Sequence, residues 1–406
     1  MNNIEKIVLD KIDEMRDEII KFHQEIVQIP SENPPRKYKE IVKFTENKFK
    51  ELGLKTQVKR NNVVGELGDG NGQTLILYGH LDTVEAFKGW TKDPFSAEIS
   101  NGKIYGRGAS DDKSSVSAEI FATKALIEAG VKLNGNLILT AVIDEETGGL
   151  RGADYILENG IIKGEACLLG DAPCDYPFGY TGGTMYITFT TFGKIAHGLG
   201  FPDLPIPYRN EHSGVNSIDK MMRIMDFLLR LKEEFLRTET KYPLPEGWNA
   251  AVSSVNMAEI HGGNKITTVP DKCFLHVSIN TIPEQDIESI KTRIMNYVEE
   301  LNHQDPDFKV TVQIPIAFEP QIIDENSEFA KAVKNATKAV FDEERGFKLF
   351  LPSTDAHWFQ ERGIPTILIG ASRGDNNPHA EDEFVYIEDL INTTKMFAIS
   401  TLNYLK

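Results

Sequence analysis

The stretch Thr74-Leu75-Ile76-Leu77-Tyr78-Gly79-His80-Leu81-Asp82 decides the fold. Its first five residues form a run without polar alternation, the pattern of a strand covered on both faces, and such strands belong to parallel sheets flanked by helices. Outward from it, runs of the same kind recur at Leu137 to Ile143, Ala166 to Leu169 and Pro365 to Ile369. Between them lie segments of helical spacing, Ser115 to Ala129 and Ala153 to Glu158. This alternation predicts an α/β domain with a mostly parallel sheet. Upstream, Ile7, Val8, Ile12, Met15, Ile19, Ile26 and Val27 predict one long amphipathic helix that stops at Pro30 and the Pro34-Pro35 pair. A second helix, Ile41 to Leu52, and a short strand, Lys55 to Lys59, follow it.

From Gly183 to Pro315 the rhythm changes. An alternating strand, Met185 to Phe192, precedes a helix, Ile218 to Phe235, then strands Ala251 to Ile260 and Cys273 to Asn280, a helix Ile287 to Leu301 and a strand Lys309 to Ile314. The order β-α-β-β-α-β is ferredoxin-like, so an α+β domain (183–315) is expected as an insertion in an α/β domain made of 1–182 and 316–406. A helix at Glu328 to Phe341 resumes the first domain. The segment Leu199 to Gly214, with Pro202, Pro205 and Pro207, reads as a long loop, and such loops often bind ligands.

Composition narrows the function. With 44 Lys and Arg against 61 Asp and Glu, the net charge is −17, so nucleic acid and anionic membranes are repelled rather than attracted. No apolar run approaches the ~20 residues of a membrane span, and the acidic beginning of the chain has no signal-peptide pattern, so a cytoplasmic protein is expected. Cys167, Cys174 and Cys273 form neither a CxxC pair nor a disulfide framework and fit a reducing compartment as buried small hydrophobes.

Ligands in open parallel sheets bind beyond the carboxyl ends of the strands. There the first strand delivers His80 and Asp82, the second Asp144, Glu145 and Glu146, the third Asp171, and the last leads into a loop with His379 and Glu381. Asp111 lies in the turn Gly106-Arg107-Gly108-Ala109-Ser110-Asp111-Asp112 ahead of a helix. Carboxylates crowded at one sheet edge repel unless cations lie among them. Mixed His and carboxylate ligands suit two divalent ions, Zn²⁺ first, with Co²⁺ or Mn²⁺ as alternatives, and a carboxylate shared by two metals is the usual device of binuclear hydrolases.

The motifs Gly79-His80-Leu81-Asp82-Thr83-Val84, Gly106 to Asp111, Asp144-Glu145-Glu146 and the late His379 resemble the metallohydrolase family of acetylornithine deacetylase, succinyl-diaminopimelate desuccinylase, aminoacylase and the glutamate-releasing carboxypeptidases. The resemblance runs in order through essentially the whole chain. It implies one metal on His80 and Asp171, a second on Glu146 and His379, Asp111 bridging both, and Glu145 as general base. Neighbouring residues in extended chain point opposite ways, which agrees with different tasks for Glu145 and Glu146. Asp82, two residues after His80, would orient its imidazole.

In the inserted domain, Gly193 to Gly198 resembles the family stretch whose histidine, here His197, stabilises the oxyanion, usually across a dimer interface. Gly262-Gly263-Asn264-Lys265 resembles the substrate-contacting turn, with Asn264 as the contact. Members that grip an α-carboxylate commonly carry Asp-x-Arg in the strand that here reads Ser278-Ile279-Asn280, so either the substrate lacks that group or another cation holds it, Arg209 or Arg373.

The resulting expectation is a two-metal amidohydrolase acting on an N-acyl amino acid or related small molecule, and a homodimer through the inserted lid. A dipeptidase or carboxypeptidase with the same centre is the enzymatic alternative. A catalytically silent binding protein is the other, although every expected ligand and Glu145 are present. The helix with Met221, Met222, Ile224, Met225, Leu228 and Leu229 could serve either as a partner surface or as packing for its own sheet.

Overall fold

A computed structural model describes residues 2–198, 208 and 210–406. It contains two compact units: Met1–Gly179 with Ile323–Lys348 and Thr354–Lys406, and Tyr180–Ile322 with Leu349–Ser353. No helix among the described residues is long and apolar enough to cross a membrane.

The first unit is built on the strand Thr74–His80. Leu75, Ile76, Leu77 and Tyr78 are fully buried, each such aliphatic side chain contributing about 1.5–3 kcal/mol. This strand lies between Asn136–Val142 and Ala166–Leu169, parallel to both, and Thr366–Leu368 continues the parallel order beyond Ala166–Leu169. On the other side Asn62–Leu67 pairs antiparallel with Asn136–Val142, and Lys55–Lys59 with Asn62–Leu67. The sheet is mostly parallel, with an antiparallel hairpin at this edge. Strand Asn62–Leu67 goes unseen in the sequence because Gly65 and Glu66 interrupt its apolar run.

The helix Lys113–Glu128 packs on the central strand, and the C-terminal helix Ile387–Tyr404 packs on Lys113–Glu128 and on Glu328–Phe341. At the amino end the expected long helix is two helices, Asn3–Glu14 and Arg16–Val27, broken at Met15, whose ψ of 4° departs from helical geometry. The first half packs on Ile387–Tyr404 and Lys113–Glu128, the second chiefly on Lys113–Glu128. One straight rod would have to bury a single stripe; the break lets each half keep its own apolar side against the helices beneath it.

Where the strands Ala166–Leu169 and Thr366–Leu368 end, both run into glycine. A Cβ at Gly370 would fall 1.3 Å from the Gly170 carbonyl oxygen, and one at Gly170 would fall 1.9 Å from Ser115 Oγ. The two strand ends therefore approach each other and the Lys113–Glu128 helix more closely than any side chain permits.

The second unit carries the antiparallel sheet Ser254–Gly262, Lys272–Thr281, Gly183–Phe192, Lys309–Phe318, in that spatial order. Helices Ser217–Phe235 and Ile287–Gln304 pack on it around Met185, Phe189, Leu228, Leu275 and Ile294. This is the ferredoxin-like order expected from the sequence. On Ser217–Phe235 the two uses of its apolar residues separate: Met221, Ile224 and Leu228 are buried in the unit's own core, while Met222 and Leu229 are exposed.

Candidate active site

His80 closes the central strand, and both ring nitrogens are engaged. Nδ1 lies 2.9 Å from the Asp82 main-chain carbonyl and 3.5 Å from Asp82 Oδ1, while Nε2 lies 3.1 Å from Asp111 Oδ1. An Nδ1–H donating to the Asp82 carbonyl selects the tautomer that leaves the Nε2 lone pair for a cation. The nearest orienting oxygen is thus main-chain; the Asp82 carboxylate stands behind it, accepting from Asn33 Nδ2 at 2.9 Å and the Glu145 amide at 3.3 Å.

Asp111 ends the glycine-bearing turn just before Lys113–Glu128. Its second oxygen, Oδ2, is 3.1 Å from His379 Nε2, which is also 3.0 Å from Glu146 Oε2. The other Glu146 oxygen accepts from the Val84 amide at 3.0 Å. Glu145 and Glu146 do not lie on extended chain: Asp144 adopts φ 80°, and Glu145–Thr147 is one turn of 3₁₀-helix. The turn is fixed by Asp144, whose carboxylate accepts from Thr147 Oγ1 (2.9 Å) and the Arg151 amide (3.1 Å). In two groups of residues, His80 with Asp111 and Asp171, and Asp111 with Glu146 and His379, the potential ligand atoms lie within 4.8 Å of one another. Asp111 belongs to both.

The electrostatics follow from enclosure. Burial would lower the His80 pKa, but its bonds to Asp111 and Asp82 raise it well above the usual imidazole range. His379 is raised to about 10 by Asp111 and Glu146. Burial works against the charged form of Asp111, yet His379 and His80 hold its carboxyl below the usual carboxylate range. Glu145, Glu146 and Asp171 are pushed up, first by burial and then by their acidic neighbours. Enclosed carboxylates that resist ionisation beside one another, arranged as two sets of nitrogen and oxygen donors with one shared carboxylate, fit a pair of divalent cations.

Sequence reading missed Glu383, fully buried four residues beyond His379. It accepts from Arg107 Nη1 (2.7 Å) and the amides of Gly108 (3.0 Å), Ser110 (2.9 Å) and Asp111 (3.1 Å). It therefore ties the loop carrying His379 to the turn carrying Asp111. Within the run Glu381-Asp382-Glu383 nothing separates it from solvated surface acids.

His197 is exposed on the short strand Ala196–His197, paired with Thr268–Val269 in the second unit. Asn264 is exposed in the turn before Thr268–Val269. Arg209 lies outside the described residues. Arg373, the alternative carboxylate anchor, is occupied: its guanidinium makes two bonds to Asp389 and lies 3.2 Å from Asp175 Oδ1. Asn280 accepts from Thr184 Oγ1 at 3.1 Å in the sheet of the second unit.

A mostly parallel sheet with such a donor set at its strand ends is suited to metal-assisted hydrolysis. The model of the family described as peptidase family M20/M25/M40 matches residues 76–402, and the chain belongs to that family. It is 26% identical over 411 residues to the N-formyl-4-amino-5-aminomethyl-2-methylpyrimidine deformylase of Halalkalibacterium halodurans, covering 96% of this chain and 94% of the relative. To a probable succinyl-diaminopimelate desuccinylase of Staphylococcus aureus it is 24% identical over 417 residues, covering 96% and 98%. Among solved structures, an M20 family metallo-carboxypeptidase from Sulfolobus solfataricus superposes with a TM-score of 0.75 at 20% identity, covering 95% of this chain and 99% of the other. A dinuclear metal-binding M20 peptidase from Bacillus subtilis gives 0.65 at 14%, covering 97% and 99%.

Proposed function

We propose that the protein hydrolyses the amide of an N-acyl amino acid or a related small N-acyl compound, using two divalent cations, with zinc the first candidate and cobalt or manganese the alternatives. His80 and Asp171 would hold one cation, Glu146 and His379 the other, with Asp111 common to both groups. The observation that carries this reading is the Asp111 carboxylate, with one oxygen 3.1 Å from His80 and the other 3.1 Å from His379.

When bound, the cations would polarise the scissile carbonyl and lower the pKa of the attacking water. Glu145 belongs to neither ligand group, and it serves as general base: its carboxylate takes the proton of the water and returns it to the departing amine nitrogen. The products are a carboxylate and an amine. Asp82 holds the His80 ring through its carbonyl and carboxylate. His197 donates to the oxyanion, Asn264 contacts the substrate, and Arg209 anchors a carboxylate where the substrate has one. The second unit acts as a lid and pairs two copies of the chain, and the protein works in the cytoplasm on small molecules, without nucleic acid or membrane.

Against a panel of N-formyl, N-acetyl and N-succinyl compounds and dipeptides, metal-stripped protein reconstituted with Zn²⁺, Co²⁺ or Mn²⁺ should turn over N-acyl members, and Glu145→Gln should abolish that turnover. Turnover confined to dipeptides would replace the deacylase reading with a peptidase. Wild-type rates in Glu145→Gln would remove Glu145 from the mechanism.

A further inference from the structure

We propose that Asn33 is a positioning residue of this site, aligning both the Asp82–His80 pair and the turn that carries Glu145 and Glu146. Asn33 is buried, in the segment between the second helix and the helix Lys39–Glu51. Its main chain is tied to the end of the central strand: the Asn33 amide donates to the Thr83 carbonyl at 2.8 Å, and the Thr83 amide donates to the Ser31 carbonyl at 3.2 Å. The side chain then reaches two further parts of the site. Nδ2 donates to Asp82 Oδ2 at 2.9 Å and to Thr147 Oγ1 at 3.1 Å.

Those contacts close a ring. Asp82 Oδ1 accepts from the Glu145 amide at the start of the 3₁₀ turn, and Thr147 stands at its end. Asn33 therefore grips the two ends of the turn that presents Glu145 and Glu146, and does so through the same carboxylate that backs His80. The orientation of its amide is fixed by Arg36, whose Nε donates to Asn33 Oδ1 at 2.9 Å and whose guanidinium lies 3.5 Å from Asp144 Oδ1. A flipped amide would set its oxygen against the Asp82 carboxylate and its hydrogens against the Arg36 donor, so only one orientation satisfies both neighbours. Neither near relative of asparagine would serve equally: aspartate would oppose Asp82 with a like charge, and glutamine would be one methylene too long for a buried position.

This role rests on the two-cation reading of the site, and Co²⁺ supplies a probe that needs no substrate. Loss of an outer hydrogen-bond partner of a ligand typically costs about 10–100-fold in metal affinity or activity. In the full-length protein, Asn33→Ala should weaken Co²⁺ binding, followed by calorimetry and by the visible absorption of the bound ion, by about that factor, and should lower kcat with little change in KM. Asn33→Asp should be worse than Asn33→Ala. Combining Asn33→Asp with Asp82→Asn exchanges donor and acceptor and restores the bond between positions 33 and 82, though not the one to Thr147, whose hydroxyl proton is given to Asp144; it should recover part of the Co²⁺ affinity lost in Asn33→Asp alone. A merely structural role would lower the melting temperature of the double variant without that recovery. Asn33→Ser is the second variant should Ala impair folding. Wild-type Co²⁺ affinity and kcat in folded Asn33→Ala, or no recovery in the exchanged pair, would overturn the role of Asn33 alone. Wild-type protein that takes up no Co²⁺ would overturn the reading of the site beneath it.

Discussion

Replacing Glu383 by glutamine perturbs the point where the loop carrying His379 and the turn carrying Asp111 are joined. One carboxylate oxygen accepts from Arg107 Nη1 and the Gly108 amide, the other from the Ser110 and Asp111 amides and Ser110 Oγ. Whichever oxygen becomes an NH₂ group then faces N–H donors, and Arg107, only 1% exposed, loses its counter-charge. Burial pushes the Glu383 carboxyl up while Arg107 pulls it down, so the ion pair itself contributes modestly. Breaking it is different: leaving one buried partner uncompensated costs about 3–5 kcal/mol. With a fall of about 2–4 °C per kcal/mol for a domain of this size, the melting temperature should drop by on the order of 10 °C. Because the Asp111 amide is among the released donors, the extra melting temperature conferred by Zn²⁺ should shrink as well. Calorimetry of stripped and Zn²⁺-loaded protein measures both. A Glu383→Gln variant that melts within about 2 °C of wild type and keeps the full zinc-dependent increase would refute the reasoning.

Two further outcomes follow from buried groups. Arg373→Ala should lower the melting temperature, since it strands the nearly buried Asp389, yet leave KM for carboxylate-bearing substrates unchanged; a rise in KM without loss of stability would return Arg373 to the substrate. Stability should also fall in mild acid. His23, fully buried between Ser117 Oγ and the Ala109 carbonyl, binds its proton only near pH 3 when folded, against about 6.5 when unfolded, first because of burial. The unfolded chain therefore takes up the proton first, so stability is intact above about pH 6.5 and declines by up to about 1.4 kcal/mol per pH unit below it until the folded state titrates. His357, lowered by burial to about 4, acts in the same direction. Melting temperatures of His23→Asn from pH 7 to pH 4 should show a flatter decline than wild type, and parallel curves would contradict the assignment.

Much of this architecture is legible in the sequence because strands buried on both faces announce themselves. Thr74–His80, Asn136–Val142, Ala166–Leu169 and Thr366–Leu368 are such runs, and each leads to an acid or histidine of the site. What escaped detection has physical reasons. The C-terminal helix Ile387–Tyr404 buries Thr393, Thr394, Ser400 and Thr401 along with its apolar residues, so it lacks the polar face by which an amphipathic helix is recognised. The strand Asn62–Leu67 carries glycine and glutamate in its run. The bend at Met15 leaves the helical spacing intact on both sides. Within the site, the candidate ligands stand out because their chemistry is in the side chain and their place follows from a strand end. Asn33 and Glu383 act through hydrogen bonds to distant parts of the chain, 49 residues away at Asp82 for the first and 276 at Arg107 for the second. No local pattern encodes such a partner. Glu145 and Glu146 are assigned different tasks on an argument from extended chain, whereas a left-handed Asp144 and a 3₁₀ turn set their directions.

The most direct test of the central claim is to count the cations. Metal-stripped protein titrated with Zn²⁺, passed through a desalting column and analysed by inductively coupled plasma mass spectrometry should saturate at two ions per chain, and Asp111→Ala, which removes the shared ligand, should retain fewer. Saturation at one ion or none in the wild-type protein, or an undiminished pair in Asp111→Ala, would contradict a binuclear site built on that carboxylate.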